Sequence, residues 1–365
     1  MSHPNKPKPL TGPVVNSHTE WDSLEEVIVG RVDNAALSEW DLFFRATMPD
    51  DEFHAMSASL QLLPDRCFPD QRIMAAKLCL DRLVNILEEE GVVVQRPEIL
   101  SYQKPFSTPD WCIRTAFSAA NPRDVFLVIG DMIIETPMSD RSRYFEAWAY
   151  RSLLKKYFSA GARWVAAPKP QLLDELYDME ARKHGKQFVI TEFEPCFDAA
   201  DFVRCGNDII GQLSNVTNRS GVEWLQRHLG NPYRVHLIEN KDCHAIHIDT
   251  TLLPLGPGRC LVNPDYVDLE KLPSVLKSWE LLIAPQPVPM PLEKRGCVSN
   301  WISINILQID EKRILVEKMQ TPLIKKLKDW GFEPIPIDFS EYYPFGGGLH
   351  CSTLDIRRRG KQRTV

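Results

Sequence analysis

The sequence predicts an α/β protein: one domain of five similar modules, each a β-hairpin, an amphipathic helix and a further strand, set around an axis. Two observations carry that expectation. A helical pattern that stops and runs into an apolar strand recurs five times, and β-rich runs broken at short turns lie between the copies.

The first copy is Leu83-Val84…Leu87, ending at Glu90-Gly91 before Val92-Val93-Val94. The second is Leu153-Leu154…Tyr157-Phe158, stopped at Gly161 before Trp164-Val165. The third is Trp224-Leu225…Leu229-Gly230, then Val235 to Ile238. The fourth runs Leu272…Val275-Leu276…Trp279 into Leu281-Leu282-Ile283, and the fifth Leu323-Ile324…Leu327…Trp330-Gly331 into Pro334 to Ile337. Four of the five carry a glycine just past the last helical residue, where a positive φ is wanted and only glycine adopts it cheaply. The fourth has Glu280 there and must end differently.

The hairpins read as Val125–Ile129 turning at Gly130-Asp131 into Met132–Ile134, and Phe202–Cys205 turning at Gly206-Asn207 into Ile209-Ile210. Leu252–Leu255 passes Gly256-Pro257-Gly258 to Cys260–Val262, and Ile302–Ile309 turns near Asp310-Glu311-Lys312 into Ile314–Val316. A closed ring of such modules hides its sheet edges. A doubly wound sheet is disfavoured because no glycine-rich phosphate loop follows an early strand.

Composition bounds the function. The chain has 365 residues, of which 44% are hydrophobic and 25% charged, so a sizeable core can be buried. A net charge of −6 argues against a nucleic-acid binder. No apolar run is long enough to span a bilayer, and the N-terminus lacks a signal-peptide core, so no membrane partner is expected. Nine dispersed cysteines without a CxxC pair suit reduced thiols, and the expected location is cytoplasmic. Residues 1–15 read as a flexible segment, 16–360 as the domain and 361–365 as a tail. The basic run Arg357 to Arg363 reads as solvated.

Polar residues cluster just before the hairpins: Asp110, Asp198, His247 with Asp249, Ser299, and Cys351 after the run Gly346-Gly347-Gly348. If the modules surround an axis, these positions converge. A cysteine, a histidine and several aspartates in one pocket fit attack on a cationic carbon. The thiolate is the nucleophile, the histidine moves protons, and carboxylates grip a planar guanidinium in a charge-assisted, bidentate way. The bound cation would itself favour the thiolate. Cys196, Cys205 and Cys260 read as core. His350 reads as a neighbour shaping the thiol, and Asp201 as a hydrogen-bonding residue of the next turn. The run Cys243-His244-Ala245-Ile246-His247-Ile248-Asp249 lacks a second ligand pair at zinc-like spacing, so no metal is expected.

The stretches Glu20 to Gly30, Thr191 to Phe202 and His350 to Gly360 closely resemble the arginine amidinotransferases, from about residue 15 to 360. The resemblance implies a five-bladed α/β-propeller of the pentein type, without a cofactor and compatible with a homodimer. The implied substrates are small molecules: L-arginine as donor, with ornithine released, and an amine as acceptor. Cys351 would carry a covalent amidino group and His247 would act as acid, then base. Asp198 would assist His247 and hold the guanidinium with Asp110 and Asp249. Ser299 matches one of two serines beside the donor in the glycine enzyme; Val298 replaces the other. That enzyme has an arginine for its substrate carboxylate shortly after Asn-Pro-Asp; here Tyr266 follows Asn263-Pro264-Asp265. His244 and Ile246 replace an asparagine and a methionine of the glycine site. The expected acceptor is therefore a primary amine other than glycine, and the sequence looks most like members of cyanobacterial toxin pathways.

Overall fold

Both ends of the chain meet in one sheet. Strand Thr353–Arg358 pairs antiparallel with Leu24–Val29, and Leu24–Val29 pairs parallel with Val93–Gln95. The computed structural model describes residues 12–37, 41–61 and 66–364, so most of the expected flexible segment, residues 1–11, lies outside the described residues.

Four further sheets repeat the same pattern, an antiparallel hairpin with a parallel third strand. They are Phe126–Ile129, Met132–Glu135 and Arg163–Ala166; then Phe202–Cys205, Asp208–Gln212 and Arg234–Ile238. The next are Leu252–Gly256, Arg259–Val262 and Glu280–Ile283, and finally Leu307–Gln308, Arg313–Glu317 and Glu333–Ile337. A short two-stranded ribbon, Phe106–Ser107 with Cys112–Ile113, stands apart.

In four modules an α-helix carries the chain from the hairpin to its parallel partner: Asp70–Glu89, Arg151–Ser159, Arg219–Leu229 and Thr321–Asp329. All four expected cap glycines have positive φ. The sequence reading fails in the fourth module. Leu272 to Trp279 forms no α-helix but a 3₁₀ turn, Ser274–Leu276, preceded by another at Leu269–Lys271. Pro273 stands immediately before the second turn, and proline supplies no N–H to a helix running through it. Of the expected strand Ile302–Ile309, residues 302–304 belong instead to the 3₁₀ turn Asn300–Ile304, and the strand is only Leu307–Gln308.

Apolar side chains pack between each sheet and its helix. Leu80, Leu83 and Leu87 are fully covered, as are Leu225 and Leu327 at equivalent places. At the junction of the chain ends the core is ionic. Asp355 accepts from Arg123 (2.6 Å), Arg204 (2.7 Å) and Arg358 (2.7 Å), and Arg204 also grips Glu20 with Nε and Nη2 at 2.8 Å each. All five side chains are buried. The solvated reading of the basic run is thereby corrected. Arg357 and Arg358 are buried, because strand Thr353–Arg358 carries them into the protein, and Arg363 pairs with Asp22 at 2.8 Å.

Burial alone would raise Asp355, but Arg123, Arg358 and Arg204 overcome it and hold the carboxyl far below its usual range. Asp355→Asn should therefore destabilise the fold by about 3 kcal/mol or more, since it strands buried guanidinium charge. A carboxyl depressed in the folded state stabilises above its unfolded pKa of about 4 and loses that contribution as the pH falls below it. In urea titrations the gap between wild type and Asp355→Asn should accordingly narrow on acidification; a gap independent of pH would contradict the assignment.

Candidate active site

Asp198, His247, Asp249, Ser299 and Cys351 sit on or beside the short turn that feeds the first strand of a sheet. Asp198 precedes the 3₁₀ turn Ala199–Asp201, His247 precedes Ile248–Thr250, and Ser299 caps Asn300–Ile304 by accepting the Trp301 N–H at 3.1 Å. Cys351 lies two residues before strand Thr353–Arg358. The structure brings Cys351, His247, Asp198 and Asp249 together, all buried.

The thiol is held from several sides. Its S–H points to Asp249 Oδ2 at 3.3 Å, and Asn305 Nδ2 donates to Sγ at 3.1 Å. Asn305 Oδ1 also accepts the backbone N–H groups of His350 (2.9 Å) and Cys351 (3.3 Å), fixing the loop. Gly347 permits that loop's close approach: a Cβ there would lie 2.6 Å from Asn121 Oδ1 and 2.6 Å from the Cys351 Cβ. His350 is the expected neighbour. Its ring bridges Asp249 Oδ2 (2.8 Å) and Glu20 Oε2 (3.4 Å), linking the site to the ionic junction of the chain ends.

Asp110 is not part of this cluster. It lies exposed in the turn of the two-stranded ribbon, where its backbone N–H donates to Thr108 Oγ1 at 3.2 Å. Asp124 occupies the place assigned to it. The turn Asn121-Pro122-Arg123-Asp124 opens a short helix with Pro122 in its first turn, and Arg123 Nε clamps that turn to the His350 carbonyl at 2.8 Å. Asp124 Oδ1 faces His247 Nδ1 at 3.8 Å while Oδ2 accepts from Arg143 at 2.8 Å. Asp198 Oδ2 holds the other ring nitrogen, Nε2, at 3.1 Å. The rule "immediately before the hairpin", applied strictly, selects Asp124, two residues ahead of Phe126. Asn305 stands at the same offset before Leu307 and was also overlooked. Asp201 serves its turn, accepting from Gln212, Ser214 and Thr217 at 2.9, 2.6 and 2.5 Å.

The electrostatics are unbalanced toward negative charge. Among the described residues, Asp124, Asp198 and Asp249 each keep a buried Oδ1 without a hydrogen-bond partner. Burial pushes Asp124 upward, with Asp198 and Asp249 adding to the rise against His247 and Arg143. Burial would lower His247, but Asp124 and the hydrogen bond to Asp198 raise it well above its ordinary value, so the ring is an imidazolium at neutral pH. Burial, then Asp249 and Asp124, pushes the Cys351 thiol up to about 12 against the opposing pull of His247. The thiol is therefore neutral at neutral pH, and a cation entering beside it would favour the thiolate.

Two cavities of about 440 and 470 Å³ adjoin the cluster, and Ile246 and His247 line both. Helix α1 (Asp41–Thr47) contributes Thr47 to both walls, and α2 (Asp50–Gln61) contributes Glu52 to the first and Ala55 and Met56 to the second. The first cavity reaches Cys351 and Asp249 and is lined further out by His244, Tyr266 and Ser299. Burial, then Arg182, lowers His244, which is therefore neutral at neutral pH. Tyr266 packs near Trp301 and its hydroxyl reaches Ser299 and Asp242; burial, then Asp242, pushes it up to about 12. Two trios have ligand atoms close enough for an ion: Asp124, His247 and Cys351, and Asp242, Cys243 and His244. In the first, Asp124 Oδ2 is occupied with Arg143 at 2.8 Å and His247 Nε2 with Asp198 at 3.1 Å. In the second, Asp242 is occupied with the His244 backbone N–H at 2.9 Å.

No family profile matches the chain. It is 47% identical over 356 residues to the L-arginine:L-lysine amidinotransferase of Pseudomonas savastanoi pv. phaseolicola, covering 96% of each. It is 41% identical over 369 residues to the mitochondrial glycine amidinotransferase of Gallus gallus, covering 97% of this chain and 85% of that one. Among solved structures, an amidinotransferase from Microseira wollei in the saxitoxin biosynthetic pathway superposes with a TM-score of 0.92 at 54% identity, covering 96% of this chain and 99% of that one. The inosamine-phosphate amidinotransferase of Streptomyces griseus gives 0.87 at 36%, covering 97% and 99%. A dimethylarginine dimethylaminohydrolase from Pseudomonas aeruginosa, at 0.56 and 15% identity over 91% of this chain and 99% of that one, shares the fold. A buried thiol, an imidazolium and three under-satisfied carboxylates, on a chain so similar over nearly its whole length to these transferases, belong to a member of the amidinotransferase family.

Proposed function

We propose that the protein transfers the amidino group of L-arginine, through a covalent amidino-Cys351, to a primary amine other than glycine in secondary-metabolite biosynthesis. The observation that carries this reading is the trio of unpartnered carboxylate oxygens around His247 beside a buried thiol. A guanidinium supplies planar N–H donors for such acceptors and the positive charge the site lacks.

Arginine binds with its guanidinium among Asp124, Asp198 and Asp249. The Cys351 proton leaves through Asp249, its hydrogen-bond acceptor, and the thiolate forms a bond to the guanidinium carbon. His247 protonates the departing δ-nitrogen, the C–N bond breaks, and ornithine leaves. This half-reaction leaves the thiol proton on Asp249 and His247 neutral; Asp249 returns that proton to Cys351 when the sulfur is later displaced. An acceptor amine then attacks the amidino carbon, gives its proton to the neutral His247 and displaces the sulfur. Water must be kept out at that stage, since its attack would yield urea from the carried amidino group.

The five like sheets, with the first and last strands of the set paired, support a ring closed as a five-bladed propeller. Tyr266 in place of a carboxylate-binding arginine argues against glycine as acceptor. A lysine-using relative and a saxitoxin-pathway neighbour lend weight to a larger amine.

The deciding experiment incubates the protein with L-arginine alone and weighs Cys351 by mass spectrometry. An added amidino group with ornithine release, then discharge by a long-chain amine or lysine but weakly by glycine, is expected. An unmodified Cys351 would sink the mechanism, and strong glycine turnover would overturn the acceptor assignment.

Two substitutions separate the carboxylates. Asp124→Asn should lower kcat/KM for arginine by about tenfold or more, whereas Asp110→Asn should leave it within about twofold; the reverse order would return Asp110 to the site. In the absence of substrate, Asp249→Asn removes a charge that opposes thiolate formation. The pH profile of Cys351 alkylation by iodoacetamide should shift to lower pH, and an upward shift would contradict the electrostatic account.

A further inference from the structure

Arg295 is the one lysine or arginine on the wall of the 440 Å³ cavity among the described residues, at the opposite end of chemistry from the carboxylates around Cys351. It is 8% exposed, at the end of the short helix Leu292–Arg295. One guanidinium nitrogen donates to the Val298 carbonyl, and Nε is buried without a hydrogen-bond partner. Its counter-charge is Glu52, whose Oε1 accepts from Nη2 at 2.6 Å. Glu52 comes from α2, remote in sequence, is 27% exposed at its side chain, and lines the same cavity. Tyr266, further along that wall, is a neutral phenol and offers no cation.

Resting on the transfer reading above, we propose that Arg295 is the docking cation for a substrate α-carboxylate, and that Glu52 holds its place until substrate arrives. A buried guanidinium must keep an anionic partner, because removing one half of such a pair leaves a costly uncompensated charge. An arginine molecule carries the two charges the cavity is built to receive: a guanidinium for the carboxylate trio and a carboxylate for Arg295. The incoming carboxylate exchanges with the Glu52 carboxylate, so the charge on Arg295 stays balanced throughout. Glu52 then turns from Arg295 toward solvent, and α2 loses a tie to the cavity wall. Arg295 is thereby a specificity-determining residue that favours amino acids over their decarboxylated analogues, and Glu52 is an internal competitor. The α-carboxylate could be that of the donor or that of an amino-acid acceptor, and two arms of the test tell them apart.

The donor arm measures binding of L-arginine and of agmatine, which lacks the carboxylate, to the Cys351→Ala protein. L-Arginine should bind at least about tenfold more tightly than agmatine. Adding Arg295→Met should bring the two within about twofold, by weakening L-arginine and sparing agmatine. Arg295→Lys should restore part of the preference. Glu52→Gln should tighten L-arginine several-fold and leave agmatine unchanged, a gain that damage to the fold would not produce. The acceptor arm compares lysine with cadaverine in discharging the amidino enzyme, with and without Arg295→Met. Collapse of the first ratio assigns the site to the donor, and collapse of the second assigns it to the acceptor. Ratios unmoved by Arg295→Met in both arms, or weaker L-arginine binding in Glu52→Gln, overturn the proposal. Should Arg295→Met fail to fold, the Glu52→Gln result decides. L-Arginine that binds with the stated preference but never modifies wild-type Cys351 would sink the transfer reading and leave the carboxylate site standing.

Discussion

Everything around Cys351 leans on one buried carboxylate. Asp355 gathers three guanidinium groups from three separated parts of the chain, Arg123, Arg204 and Arg358, and the first of these also fixes the turn that presents Asp124. Glu20 joins the same node through Arg204 and passes it to His350, which in turn holds Asp249 against the thiol. An ionic core is an expensive way to join chain ends, since every charge must be desolvated. Its return is directional. Apolar packing would tolerate a slip of an ångström, whereas fork-shaped donors on fixed carboxylate oxygens set the position of neighbouring loops closely.

The same logic inverts at the cluster around Cys351. There carboxylates outnumber their cations, so the site is stable only with strained protonation: a thiol pushed up and an imidazole driven to its charged form. Such tension is characteristic of sites that await a charged ligand. The neighbouring Asp201 shows the contrast. It too is buried, but three hydrogen bonds engage both of its oxygens. Two aspartates three residues apart therefore separate into a structural and a chemical group according to their partners alone.

Much of this was legible in the sequence because it is local. Helix stops at Gly91, Gly161, Gly230 and Gly331, and hairpin turns at Gly130 and Gly206, follow from backbone sterics that need no tertiary partner. The fifth hairpin was invisible for the opposite reason: its strands, Leu24–Val29 and Thr353–Arg358, are more than three hundred residues apart. The basic run Arg357 to Arg363 looked solvated because composition cannot show that Asp355 and Glu25 lie ready to receive it. Asp110 was chosen, and Asp124 not considered, for a related reason. Position before a strand was read from a conspicuous Thr-Pro-Asp-Trp turn, when the two-stranded ribbon it forms lies outside the repeat. Cys351, His247, Asp198 and Asp249 were found because each stands at a strand entrance that the repeat itself marks.

The sheet shared by the chain ends has a consequence for biogenesis. Four sheets and every acidic wall of the site are encoded before the last strand, and Cys351 sits two residues ahead of it. On the ribosome the thiol is thus the last functional group to emerge, delivered into a socket whose other walls have already been translated. A nascent or prematurely terminated chain holds the carboxylates without the sulfur. It also lacks Asp355 and the ionic junction that fixes the neighbouring loops, so chemistry is withheld until the last strand is made.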